Sequence, residues 1–314
     1  MKKIIALLLA LLLAVSCASA LAELTFTTGG ETGTYYAFGN VLAQYVSANT
    51  DLTITAVVSD GSADNIDKLD AKQRDLAFVQ NDVAYYAYNG IRLFEDDAIT
   101  SFSALAALYT ETVQLVTLDP DIKSVADLKG KVVSIGAAGS GVYFNALDFL
   151  AAYGMTEDDI DPRYLSFKDS GEQLKDGKID AAFVVAGAPT PAVTDLSVGR
   201  SVYLVSLDDE HVAALQDISA AYAKSVIPGG TYAGIDEDVV TVGVKATIIA
   251  NEDVSDDDAY AIVSTIFDNI DAITELHAKG AELDLEYAST CGLPYHPGAA
   301  KYFAEHDITV DVVE

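Results

Sequence analysis

Short apolar runs alternate with amphipathic stretches along most of the chain after residue 23. Residues 24–28 read as a strand ending in Gly29-Gly30, and residues 36–46 place Phe38, Val41, Leu42 and Tyr45 on one helical face. Residues 52–59 alternate as a strand, Gly61-Ser62 opens a helix through residue 69, and residues 76–79 form a third strand. Ser62 and Asp82 have side chains suited to helix N-caps. A similar series starts near Thr112, with strands over 113–118, 131–136, 164–167 and 181–185 and helices over 124–128, 141–153 and 172–176. Residues 239–250 are a long β-rich run. Residues 255–279 read as one amphipathic helix, with Asp256, Asp257 and Asp258 in the first turn, where negative charge suits the dipole. His296-Pro297-Gly298 opens a last helix with proline at its first position. The alternation predicts an α/β protein with a largely parallel sheet. In such sheets ligands sit at the carboxyl ends of strands, beside helix N-termini. Two crossings between the halves, near 108–113 and 235–242, would allow a hinge motion.

The first residues depart from this pattern. Lys2 and Lys3 precede an unbroken apolar run from Ile4 to Val15, too short for a bilayer core of about 30 Å, and small residues follow. That is the form of an export signal over residues 1–22. Ala20-Leu21-Ala22 offers an A-x-A cut with Glu23 as the first mature residue, and Cys17 offers lipidation as the alternative. Either route takes the protein to the periplasm or the outer face of the cytoplasmic membrane. A length of 314 residues favours two lobes over one core. An apolar content of 51% excludes a disordered chain. A net charge of −30 argues against nucleic acid as a partner, since phosphates need a basic surface. Two cysteines exclude a disulfide scaffold.

Five loops fall where the sheet would present them to one cleft: Gly29 to Tyr36, Ser59 to Asn65, Val79 to Asp82, Gly136 to Tyr143 and Val185 to Pro189. The first bares backbone N–H groups before a helix, which suits a small carboxylate, and a plain tight turn is the alternative. It is not a nucleotide loop, because neither the P-loop lysine nor G-x-G-x-x-G is present. The histidines, at 211, 277, 296 and 306, are all remote in sequence from these loops, so a serine nucleophile would lack a base. No ligand-like histidine spacing and no D-x-D-x-D-G register points to a metal.

Taken together, Thr28-Gly29-Gly30, Gly33-Thr34-Tyr35-Tyr36, Gly61-Ser62 with Asn65, Asp75 to Gln80 with Asp82, Ser124 to Lys131, Asp176 to Phe183, Ile227-Pro228 with Tyr232, and Leu293 to Ala300 carry a resemblance. In order and spacing they resemble the TAXI family of solute receptors, the extracytoplasmic binding proteins of one class of TRAP transporters. Tyr295 departs from the family pattern, where leucine is more usual, and should not touch the cleft. The resemblance implies an α/β, two-lobed type II periplasmic-binding-protein-like fold with a hinge. Lobe 1 is expected from residues 23–110 plus 240–314 and lobe 2 from 111–239. It implies a monomer that binds a small organic acid or amino acid of the glutamate, glutamine or 2-oxoglutarate class, without catalysis or cofactor. The ligand would pass to TRAP membrane permease subunits driven by an ion gradient. A sensing role for a signalling partner is the alternative. Positions carried over as ligand contacts are Gly33, Thr34, Tyr35, Ser62, Asn65, Gln80, Ser140, Gly141 and Tyr232.

Charge sharpens this picture. The four arginines, Arg74, Arg92, Arg163 and Arg200, lie outside the five loops, so no guanidinium clamp is expected, with Arg163 the one to watch. Helix N-termini and hydroxyls must then hold a carboxylate. A neutral or zwitterionic ligand would suit the same surroundings.

Overall fold

The structure, a computed structural model, describes residues 22–313. The export segment through residue 21, including Cys17, lies outside the described residues. The first lobe begins with β1 (Ala22–Thr27), α1 (Thr34–Asn49), β2 (Leu52–Val57), α2 (Ser62–Asp70), β3 (Leu76–Gln80) and α3 (Asn81–Asn89). Then comes β4 (Phe102–Thr117), which leads into β5 (Val132–Ser134), α4 (Val142–Ala152), β6 (Asp161–Arg163), α5 (Phe167–Lys175) and β7 (Ala181–Ala186). The second lobe continues through α6 (Pro191–Gly199), β8 (Tyr203–Leu204), α7 (Asp209–Ile218) and β9 (Ala223–Ile227). The long β10 (Val239–Asn251) returns to the first lobe, followed by α8 (Asp256–Phe267), α9 (Ile270–Leu276), α10 (Leu285–Ala288) and α11 (Pro297–Glu305).

The sheet runs β2-β1-β3-β10-β4-β7-β5-β6, with β8 on β4 and β9 on β10. It is mixed, not largely parallel: β1 with β2 and β3, and β5 with β6 and β7, are parallel, whereas β4 and β10 run antiparallel to each other and to β7 and β3 respectively. The reason lies in β4. The predicted crossing near 108–113 and strand over 113–118 are one strand of 16 residues, buried at nearly every position. Its first part pairs with residues 243–251 of β10 and its second part with β7. Residues 239–243 of β10 pair with β9, and Gly243 bridges to both β9 and β4. Two continuous strands therefore cross between the lobes. Gly243 lies at the crossing, where a Cβ would stand 2.5 Å from Thr110 Cγ2.

Burial follows this division. One apolar cluster gathers residues from Leu24 to Tyr109 and from Ala246 to Phe303, with Phe144 reaching in from α4. Two others gather residues between Val113 and Val244.

Three local readings change. Residues 164–167 are not a strand; β6 ends at Arg163, and α5 starts at Phe167 because Ser166 caps it by accepting from Asp169 N. The helix read over 255–279 breaks at Asp268 and Asn269 into α8, α9 and a 3-10 turn, Ala278–Glu282. Neither Ser62 nor Asp82 is an N-cap: Gly61 and Gln80 hold those positions. Ser62 Oγ instead accepts from Gln80 N at 3.0 Å, and this ties α2 to the end of β3.

Candidate binding site

The carboxyl ends of β1, β2, β3, β5, β6 and β7 all open toward the gap between the lobes, and each leads into a helix, directly for β3 and through a loop for the others. The gap encloses a cavity of about 120 Å³. From the first lobe it is lined by Gly29, Gly30, Gly33, Thr34, Tyr35, Gln80 and the loop from Ser59 to Ser62. Glu111, on the crossing strand β4, lies in the same wall. The second lobe contributes Ala137, Ser140, Gly141, Val142, Leu165, Ser166, Phe167, Val185 and Ala186.

The lobes touch directly around this cavity. Gly139 O accepts from Ala63 N at 3.0 Å and Asp64 N at 3.1 Å, so a carbonyl of one lobe caps helix α2 of the other. Thr34 Oγ1 donates to Gly187 O at 2.8 Å, and Ala192 N donates to Thr32 O at 3.1 Å. Behind the cavity, Gln80 Nε2 donates to Asn145 Oδ1 at 2.6 Å. Asn145 Nδ2 donates to Asp82 Oδ2 at 2.9 Å and to the Tyr222 hydroxyl at 2.8 Å. Tyr222 in turn donates to Asp148 Oδ2, and Arg92 pairs with Asp148 at 2.9 Å. Asp82, Asn145, Asp148 and Tyr222 are all buried, so each bond in this cluster pairs a polar group that water does not reach. Burial pushes the Asp82 carboxyl up to about 6, against the pull of its bonds from Asn145 and Val83 N.

Donors and acceptors in the wall are unevenly placed. Helices α1 and α4 begin at Gly33 and Gly141, which carry no side chain to cap them, whereas α5, α7, α8 and α11 each have a side-chain cap. Their first N–H groups thus face the cavity with the positive end of the helix dipole. Ser140 Oγ is buried there without a partner among the described residues. Opposite in character is Glu111, 2% exposed, whose Oε2 accepts from the Tyr35 hydroxyl. Burial raises the Glu111 carboxyl well above the usual carboxylate range; the Asp82 charge adds to this, while the Tyr35 bond and the Lys279 charge oppose it. Burial and Glu111 raise the Tyr35 phenol too, so it stays protonated and donates. Tyr35 is held for this role by stacking on Phe78, with centroids 4.7 Å apart.

The chain matches the NMT1-like family over residues 26–306. It belongs to that family. Several solved structures share the architecture of this NMT1-like protein. The alkanesulfonate-binding protein SsuA from Xanthomonas axonopodis pv. citri, bound to MOPS, superposes with a TM-score of 0.51 at 16% identity, covering 92% of this chain and 93% of its own. The GluR0 ligand-binding core from Nostoc punctiforme, in complex with L-glutamate, gives 0.51 at 14% identity over 82% of this chain and 99% of its own. The ligand-binding component of an ABC-type import system from Staphylococcus aureus, with zinc bound, gives 0.53 at 12% identity over 93% and 97%. At such identities the likeness establishes the fold, which is the two-lobed type II periplasmic-binding-protein architecture.

Of the nine positions expected as contacts in the NMT1-like protein, Gly33, Thr34, Tyr35, Ser62, Gln80, Ser140 and Gly141 lie in the cavity wall. Asn65 and Tyr232 do not. Asn65 accepts from Thr27 Oγ1 and donates to Thr28 O and Phe78 O, so it ties strand ends together behind the wall. The Tyr232 hydroxyl accepts from Thr190 N and donates to Gln114 Oε1, inside the second lobe. None of the four arginines lines the cavity: Arg163 pairs with Asp161 on β6, and Arg92 serves the inter-lobe cluster. The histidines are also elsewhere, and His296 caps α11. Tyr295 bonds to Ala288 O, away from the cavity. Sequence reasoning missed Glu111, Leu165, Ser166 and Phe167. Glu111 had a readable signal, as the one acid inside the apolar run of β4. Among the described residues no group of three or more His, Cys, Asp or Glu is placed to hold a metal, and no helix is long and apolar enough to cross a membrane.

Proposed function

We propose that this protein is an extracytoplasmic solute-binding receptor that encloses a small carboxylate or amino acid between its lobes. The supporting observation is the cavity of about 120 Å³ walled by both lobes and flanked by direct inter-lobe hydrogen bonds. That volume is well below the roughly 300–1,000 Å³ of drug-sized pockets and suits a metabolite of amino-acid size. Two bare helix N-termini and the unpartnered Ser140 hydroxyl supply donors for a carboxylate where no arginine stands.

The lobes are taken as 23–110 with 240–314, and 111–239, and the binding cycle as closure about β4 and β10. Residues 1–22 serve as the export signal. The TAXI-like motifs favour a TRAP permease, driven by an ion gradient, as the recipient of the ligand. The solved relatives include an ABC-type component, so the energy source is the point to test.

Ligand that binds only the native state raises the melting temperature. A thermal-shift panel of C3–C6 organic acids and amino acids is expected to contain compounds that raise it by several degrees. No shift across the panel at millimolar concentration rejects the receptor reading. Uptake of a bound compound by cells carrying the cognate permease should collapse with an ionophore; uptake that depends on ATP alone rejects the TRAP assignment.

A further inference from the structure

The cavity wall is divided between donors and acceptors, and its acceptor side has no counterpart in the recognition of a simple carboxylate. Glu111 is buried at the crossing of the lobes, and the one hydrogen bond to its carboxylate among the described residues comes from Tyr35. Lys279, whose charge acts on it, is paired with Glu282 and does not line the cavity. A second acceptor follows from the inter-lobe cluster. The Asp82 carboxylate can only accept when ionised, so Asn145 must turn Nδ2 toward it and Oδ1 toward Gln80. Gln80 must then present Nε2 to Asn145, which leaves Oε1 turned toward Gly141 and the cavity. The amide orientation is therefore fixed by its neighbours.

We propose that Glu111 and Gln80 Oε1 form a subsite for the ammonium group of an α-amino acid, whose carboxylate lies at the N-termini of α1 and α4. This rests on the receptor reading above and narrows its ligand class. Charge balance supports it. Each helix N-terminus acts as about half a positive charge, so two offset one carboxylate. An ammonium offsets Glu111 and offers three donors to the acceptors around it. An acid without an amine gives Glu111 no donor in place of water, and burial holds its carboxyl above the usual carboxylate range. Leu165, Phe167, Val142 and Val185 line the rest of the cavity and leave an apolar space for the amino acid's side chain.

The test compares matched pairs that differ in the amine: L-alanine with pyruvate, L-leucine with 4-methyl-2-oxopentanoate, and L-glutamate with 2-oxoglutarate. Calorimetric titration uses protein stripped of carried-over ligand by unfolding and refolding. At least one amino acid is expected to bind about tenfold or more tighter than its 2-oxo partner. Glu111→Gln keeps the shape and a hydrogen bond to Tyr35 but cannot ionise opposite an ammonium, so it should erase that preference. Equal or tighter binding of the 2-oxo acids overturns the ammonium subsite and leaves the receptor reading intact. Binding by no member of either series overturns both. The wild-type comparison stands without any variant. Should Glu111→Gln fail to fold, Tyr35→Phe, which releases the carboxylate from its fixed position, is expected to narrow the same preference.

Discussion

Gly141→Ala separates closure from folding. In this backbone Gly141 has φ −68° and ψ −22°, a conformation that alanine adopts without strain, so α4 and its lobe should still fold. The added Cβ would, however, stand 2.1 Å from Gln80 Oε1, 2.4 Å from its Cδ and 2.9 Å from its Nε2. A glutamine on an open surface would swing aside at little cost. Gln80 is 3% exposed and pinned by its 2.6 Å bond to Asn145 and a weaker 3.3 Å bond to Asp82. Either it surrenders the Asn145 bond, leaving a buried acceptor unpaired at about 1–3 kcal/mol, or the lobes stay apart. Both routes weaken the closed form by roughly 5- to 150-fold, and apparent ligand affinity falls by the same factor. Calorimetric titration with the tightest binder of the acid and amino-acid panel, alongside thermal melts of the ligand-free protein, reads both quantities. Wild-type affinity in Gly141→Ala would refute the claim that Gln80 is locked and that closure brings these two residues together.

Three further outcomes follow from the same structure. Tyr232→Phe removes bonds to Thr190 N and Gln114 Oε1 and should cost about 1–3 kcal/mol in urea unfolding while ligand affinity is unchanged; a tenfold loss of affinity would return Tyr232 to the site. Gly171→Ala, inside α5 with nothing within 4 Å of the new Cβ, should stabilise by about 0.5–1 kcal/mol, and a fall in melting temperature would contradict the helix assigned there. Asp82 has its carboxyl raised to about 6, so its contribution is fully present below the unfolded value near 4 and is lost as pH rises through 6, a change of about 3 kcal/mol. Wild type should therefore gain stability over Asp82→Asn as pH falls from 7 to 4, and parallel pH profiles would reject the shift.

Glycine turns at strand ends were legible because a Gly-rich loop before a helix has few other uses, and seven of the nine expected contact positions lie in the wall. Asn65 and Tyr232 misled because a buried amide or phenol looks the same in sequence whether it meets a ligand or a strand end. Asn145, Asp148 and Tyr222 were unreadable for another reason. Their partners Gln80, Asp82 and Arg92 are separated from them by at least 56 residues, and only the crossing strands bring them together. The mixed sheet was hidden by β4 itself, whose unbroken apolar run carries no mark where it leaves one lobe for the other.

Those two long strands also bear on how the molecule comes apart. Since β4 and β10 each supply paired backbone to both lobes, denaturing one lobe strips hydrogen-bond partners from the other's sheet. Chemical melts followed by tryptophan-free probes, such as tyrosine fluorescence and backbone dichroism, should coincide in one transition. Limited proteolysis should likewise release no half that survives by itself.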